Sequence, residues 1–295
     1  MKPAPFSYAR PRGLAEALAL LAAGNGEAKL LAGGQSLVPM LNMRLLRPPL
    51  LIDLNGLAEL GGIAPAAAGG LRIGALARHA DLVRSPLVRE RAPLLGEAAR
   101  HVGHPAIRNR GTLGGSLAHA DPAAELPAAL LALDAELTVS GAGGSRAIPV
   151  SRFFRGLLAT ALEPDEILTE IRVPAQGPGW GFAELARRPG DFALAGVAAV
   201  VRAAVSEASR CQSARVVGFG VGDRPVRLDH SERVLAGASL DGESAARAGR
   251  AAAEGCEPPG DVHASSEYRR HLATVLAEAA LLQAVQRLEL PDRGR

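Results

Sequence analysis

Two glycine pairs set the tightest constraint on this chain. The segments Leu30-Leu31-Ala32-Gly33-Gly34-Gln35-Ser36-Leu37 and Thr112-Leu113-Gly114-Gly115-Ser116 each place two glycines directly before an amide- or hydroxyl-bearing side chain. A residue without a Cβ lets a ligand or another main chain come close, and consecutive N–H groups in such a turn can converge on an anion. Ser36, Thr112 and Ser116 can add hydroxyl donors. An ordinary tight turn explains either segment alone. Two of them within one mixed α/β unit point to a dinucleotide whose pyrophosphate is held from two sides. Neither follows the GxGxxG pattern, and the chain has no GxxxxGK[ST], which disfavours Rossmann and P-loop readings.

Periodicity places these segments in order. Leucines at 14, 18 and 21 among strong helix formers predict a helix over 13–23, stopped by Gly24. Apolar runs at 29–32 and 50–54 read as strands, and 63–75 as a hairpin turning at Gly69-Gly70. Residues 77–103 read as two helical stretches separated by Pro86 and Pro93, and 123–133 as a helix with Pro127 near its first turn. A strand at 136–140 turns at Gly141–Gly144. The Pro- and Gly-rich stretch 174–179 marks a domain boundary. Strands at 181–187, 194–204 and 214–220 follow, then helices at 243–254 and 266–289, an order that suggests an α+β layer.

Composition bounds the function. A length of 295 residues corresponds to about two domains, and 48% hydrophobic residues suffice for a sizeable core. Arg and Lys number 33 against 30 acids, interleaved rather than striped, and aromatics are 3%, so no nucleic-acid partner is expected. No apolar run is long enough to span a bilayer, and the opening residues lack a secretory h-region; a cytoplasmic protein is expected. Cys211 and Cys256 stand alone, without a CxxC, and read as small buried apolar residues. This chain cannot ligate an iron–sulfur cluster by itself.

Three motifs carry a family resemblance. Residues 32–44 (AGGQSLVPMLNMR), 107–116 (IRNRGTLGGS) and 120–127 (ADPAAELP) closely resemble the FAD-binding medium subunit of molybdenum hydroxylases, the carbon monoxide dehydrogenase and xanthine dehydrogenase family. Residues 187–196 (RRPGDFALAG) resemble the start of that family's C-terminal domain. The resemblance implies an α+β protein: a two-subdomain FAD-binding fold of the vanillyl-alcohol-oxidase (PCMH) type over 1–175, with subdomains at about 1–57 and 58–175. A CO dehydrogenase flavoprotein-type α+β domain would occupy 176–295. It further implies FAD lying across residues 30–37 and 112–116, with Glu125 accepting from a sugar hydroxyl and Leu168 near the flavin ring. Val102 stands where larger relatives carry an aromatic, and Ala183 where some carry a lysine.

By the same resemblance, this chain is an electron-transfer subunit. A large molybdopterin subunit and a small subunit with two [2Fe–2S] clusters would be its partners in a dimer of heterotrimers, and FAD would pass electrons to an external acceptor. No catalytic acid, base or metal ligand is expected here. The absence of an inserted cysteine-bearing segment disfavours the benzoyl-CoA reductase branch. The alternative is a free-standing flavin oxidoreductase of the same fold, like the reductase of UDP-N-acetylenolpyruvoylglucosamine. His101, His104 and His119 flank the second glycine pair, but a covalent flavin or a metal pair is disfavoured. Asp191 reads as a turn former, and Arg108 and Arg110 as residues of a solvated loop, of the cofactor site or of a subunit contact. Valine at Gly33 or Gly115 is expected to abolish flavin binding with the fold intact.

Overall fold

A computed structural model describes residues 2–204 and 209–289; the remaining positions of the two expected domains, 1, 205–208 and 290–295, lie outside the described residues. The chain opens on a small sheet in which β1 (Ser7–Ala9), β2 (Lys29–Leu31) and β3 (Leu50–Asp53) lie in the order β1-β3-β2, with both pairings parallel. Parallel neighbours need crossovers. They are supplied by α1 (Leu14–Ala23), which ends at Gly24, and by α2 (Leu37–Asn42). Ala17 and Leu21 of α1 meet Ile52 and Leu54 in a small separate core.

The hairpin of β4 (Ile63–Pro65) and β5 (Leu71–Gly74) follows. Farther along come β6 (Glu136–Gly141), β7 (Gly144–Pro149), β8 (Phe154–Gly156), β9 (Ala159–Thr160) and β10 (Ile167–Val173). A five-stranded antiparallel sheet takes the order β4-β5-β10-β6-β7, while β8 and β9 form a separate two-stranded ribbon. Between β5 and β6 run α3 (His79–Arg84), α4 (Pro86–Arg91), α5 (Pro93–His101), α6 (Pro105–Arg108), α7 (Leu113–His119) and α8 (Glu125–Ala132). The two helical stretches expected over 77–103 are three. Pro86 and Pro93 open helices rather than separate them, because a first-turn position has no N–H partner to lose. Ser85 caps α4 by accepting from the Val88 N–H at 3.3 Å.

The C-terminal part is an antiparallel sheet of β11 (Trp180–Ala186), β12 (Ala193–Ala203), β13 (Cys211–Phe219) and β14 (Val226–Arg227), followed by α9 (Asp229–Leu235), α10 (Gly242–Ala252) and α11 (Ser266–Glu289). Alternation along β12 explains how the layers join. Ala198 and Val200 belong to a core shared with Leu126 and Leu130 of α8, whereas Val197, Ala199 and Val201 belong to one shared with Ala273, Ala277 and Ala280 of α11. A strand buried on both faces reads as a continuous apolar run, as this one does. Phe182 stacks on Phe219 at 5.6 Å in the shared core, and Arg287 lies 3.7 Å over the Trp180 ring. Cys211 and Cys256 are buried in the outer core, where burial pushes both thiols up to about 11.

Candidate functional site

The two glycine segments meet. β2 ends at Leu31, and the chain bends through 32–36, with Gly34 at φ +72°, before Leu37 starts α2. A Cβ added at Gly33 would stand 2.4 Å from the Arg110 carbonyl oxygen and 2.7 Å from Gly111 Cα. One added at Gly115 would stand 3.8 Å from Ala32 Cβ and 2.7 Å from Thr112 Oγ1. Gly33 is thus required by the contact between the turns, before any ligand is considered. The expectation that valine there spares the fold is corrected by this contact. Gly114 has a similar structural reason, since its Cβ would fall 2.6 Å from Ala75 Cβ.

The turns differ in what they leave free. Among the described residues, no protein group accepts from the main-chain N–H of Gly33, Gly34, Gln35 or Ser36. In the second segment every amide from 113 to 116 has a protein acceptor. Leu113 donates to Ala77 O at 2.9 Å, Gly114 to Ala75 O at 2.8 Å, Gly115 to Thr112 Oγ1 at 3.1 Å and Ser116 to Thr112 O at 3.0 Å. The second turn was expected to hold the diphosphate along with the first, but its amides are already committed to protein acceptors. Residues 113–116 form the first turn of α7, and the loop between β5 and α3 takes two of its amides. Thr112 is buried as the helix cap, so its hydroxyl faces inward. Ser36 and Ser116 remain partly exposed, and their hydroxyls can serve an anion beside the open amides. This donor set fits a diphosphate.

Residues not singled out from sequence brace the contact. The Asn55 amide donates to Ala32 O at 2.8 Å and accepts from Arg78 Nη2 at 2.6 Å. The other end of the Arg78 guanidinium donates to the Arg110 carbonyl. Asp53, held by the Tyr8 hydroxyl, accepts from Asn55 N–H at 2.9 Å. His79 donates its N–H to Gly111 O at 3.1 Å and sets Nε2 2.9 Å from Thr112 O. Burial pushes the His79 ring down to about 4, which keeps it neutral at pH 7 and able to donate from Nε2. The Asp-Leu-Asn-Gly turn after β3 is a usable signal for Asn55; nothing local marks Arg78 or His79.

The other expected residues divide between two places. Leu30 and Leu31 lie in β2 beside Ile52 and Asp53, and Leu113 is fully buried in the shared core. Leu168 is buried on β10, next to Thr169, whose carbonyl accepts from Ala75 N–H at 3.0 Å; Ala75 in turn touches Gly114. Val102 and Glu125 gather instead around His101. Val102 ends α5, and Glu125, 7% exposed, opens α8. No hydrogen bond joins either to the glycine turns. His101 Nδ1 lies 3.1 Å from Glu184 of β11 and Nε2 lies 3.6 Å from Glu97. The Glu184 bond leads in raising His101 to about 9, and burial raises the Glu125 carboxyl to about 8. This cluster ties α5 to the C-terminal sheet.

Arg108 donates to the carbonyls of Arg100, Val102 and Gly103 at 2.7–3.1 Å, which commits it to its own loop. Asp191 donates its N–H to Arg188 O at 3.1 Å in a turn. Among the described residues no three His, Cys, Asp or Glu side chains are grouped to hold a metal, and no helix is long and apolar enough to cross a membrane.

Comparison with known proteins matches this architecture. Residues 4–176 match the sequence family of the FAD binding domain in molybdopterin dehydrogenase, and 180–284 the CO dehydrogenase flavoprotein C-terminal domain. The 6-hydroxypseudooxynicotine dehydrogenase complex subunit alpha of Paenarthrobacter nicotinovorans is 42% identical over 97% of both chains. The carbon monoxide dehydrogenase medium chain of Hydrogenophaga pseudoflava is 39% identical over 95% of this chain and 97% of its own. The solved structure of carbon monoxide dehydrogenase from that organism, lacking the Mo-pyranopterin moiety, superposes with a TM-score of 0.93 at 38% identity, covering 97% of this chain and 99% of the other. The chain belongs to the family of FAD-binding medium subunits of molybdenum hydroxylases, the flavoprotein subunits of carbon monoxide dehydrogenase and xanthine dehydrogenase-type oxidoreductases.

Proposed function

We propose that this chain, as the flavoprotein subunit of a molybdenum hydroxylase, receives electrons from [2Fe–2S] clusters of a small partner and passes them to an external acceptor. A large molybdopterin subunit oxidises the substrate, and the whole is a dimer of heterotrimers in the cytoplasm. Residues 1–175 hold FAD, in subdomains of about 1–57 and 58–175, and 176–295 form the CO dehydrogenase flavoprotein-like domain. Bound flavin supplies the redox chemistry, exchanging single electrons with iron–sulfur centres and pairs with acceptors.

The chain's own residues bind and orient. The open amides of 33–36, with Ser36 and Ser116, hold the diphosphate. Residues 112–115 form a rigid wall behind it, Leu168 offers an apolar face to the ring, and Glu125 accepts from a sugar hydroxyl with Val102 beside it. The observation that carries this reading is the run of consecutive unpartnered N–H groups at Gly33–Ser36, placed against α7. The names of the relatives, a complex subunit and a medium chain, support a multi-chain assembly.

Purification from the native host tests the proposal. A complex with one FAD per copy of this chain, together with molybdenum and iron on other chains, is expected. Turnover by this chain alone would overturn it.

A further inference from the structure

The ribbon of β8 and β9 carries a feature the flavin site does not use. Phe154 pairs with Thr160 and Gly156 with Ala159, which leaves Leu157 and Leu158 as a two-residue tip. Leu157 is 67% exposed and Leu158 48%. Leu158 also holds φ at +53°, in the left-handed region. Turns that need positive φ there take Gly, Asn or Asp, because a larger side chain is strained. A water-facing leucine gains nothing within this chain from such a conformation.

The tip is held firmly. Phe153 and Phe154, edge to face at 5.2 Å, anchor its base in the shared core. The Phe153 carbonyl accepts from Ala161 N–H at 2.8 Å, and Arg224 Nη1 reaches the Arg155 carbonyl at 3.5 Å. The charge around it leans basic, with the Asp223 carboxylate beside Gly156 at the foot of the tip. Residues 151–162 contain Arg152 and Arg155 and no carboxylate, and Arg224 joins them from the C-terminal part, paired at 3.4 Å with Asp223.

We infer that Leu157 and Leu158 are an anchor for a different subunit of the complex, one that offers an apolar socket edged by carboxylates. The inference rests on the proposed role of this chain as one subunit among several. An exposed apolar pair on a rigid base suits a preformed interface core, and the arginines supply its polar rim. The partner's chemistry follows from that charge, since an acidic rim complements Arg152 and Arg155 and a basic one would repel them.

The test compares wild type, Leu158→Gly and Leu157→Ser/Leu158→Gly, each full length and purified with its complex from the native host. Glycine relieves the strained φ, so the variants are expected to keep FAD content and the melting temperature of the free subunit, or to raise the latter. Association of the double variant with the molybdenum- and iron-bearing chains is expected to weaken about 10- to 100-fold. Undiminished association would overturn the inference. So would loss of FAD with the assembly intact, which would assign the tip to the cofactor, or loss only of a self-dimer, which would assign it to a second copy. A wild-type chain that purifies without any molybdenum or iron partner defeats the subunit reading itself. A wild type that assembles alongside an equally well assembled double variant defeats only the anchor.

Discussion

The two glycine turns look alike in sequence and do opposite work with their main chain. At Gly33–Ser36 four successive N–H groups have no protein acceptor among the described residues, whereas at Leu113–Ser116 all four are taken by Ala75, Ala77 and Thr112. The first turn leaves its donors open, and in the proposed function a diphosphate takes them. The second is a wall, the first turn of a capped helix built tightly enough to press on the first. Glycine serves both, because each turn needs close approach, but the partner approached differs. At Gly33 and Gly114 that partner is protein backbone or a neighbouring Cβ.

The contact between the turns is the place to break the comparison with the largest effect. Gly33→Val puts a branched side chain where even a Cβ is 2.4 Å from the Arg110 carbonyl. Overpacking against main chain that Arg78 also holds cannot be relieved by a rotamer change. A loss of about 3 kcal/mol or more in stability is expected, together with loss of FAD, by thermal unfolding and flavin absorbance. A Gly33→Val protein that melts like wild type would show that the turns separate easily, and the wall would lose its meaning.

A paired experiment then sharpens the contrast with smaller effects. Ser36→Pro deletes one open amide, drawing φ from −96° toward the roughly −65° of proline, and Ser36→Ala controls for the hydroxyl. FAD affinity of the proline variant should fall about 10- to 100-fold beyond that of the alanine control, as for a lost charge-assisted hydrogen bond, with little change in melting. Thr112→Val removes the cap of α7 and should do the reverse, lowering stability by about 1 kcal/mol with a minor effect on FAD affinity. Calorimetric titration with FAD and thermal melts read both. If the two variants lose affinity equally, both turns grip the ligand.

How much of this was legible in sequence depends on how far away each acceptor lies. The helix over 266–289 was legible from its own residues, a run of helix formers without glycine or proline. The strand pattern of β12 was equally local. The division between the turns was not, because the acceptors of Leu113 and Gly114 are carbonyls in the loop after β5, brought there by the tertiary fold. Pro86 and Pro93 misled for a simpler reason: proline stops one helix and starts another with the same chemistry. Asn55, Arg78 and His79 were missed because a brace is defined by what it touches across the fold. The glycine pairs stood out, but sequence could not say whether ligand or protein required them.

Acid gives the finest probe of the wall, through His79. Its ring is buried against Thr112 and held down to about 4 by desolvation, with Arg78 and Arg108 adding to the effect, while an unfolded histidine titrates near 6.5. The unfolded chain therefore takes up the proton first as pH falls. The stability carried by the neutral ring is complete above about 6.5 and is lost progressively toward 4, by about 1 kcal/mol between pH 7 and 5.5. Two other groups run the opposite way: Glu125, raised to about 8, and His101, raised to about 9, each withdraw stability as pH rises. Total stability thus mixes signs, and a difference is needed. His79→Gln keeps an amide donor for Thr112 O and cannot titrate. Melts of wild type and His79→Gln from pH 7 to 5 should converge as the wild type weakens. Parallel curves would mean that the ring is not sealed behind the turn, and that the second turn is less rigid than its hydrogen bonds imply.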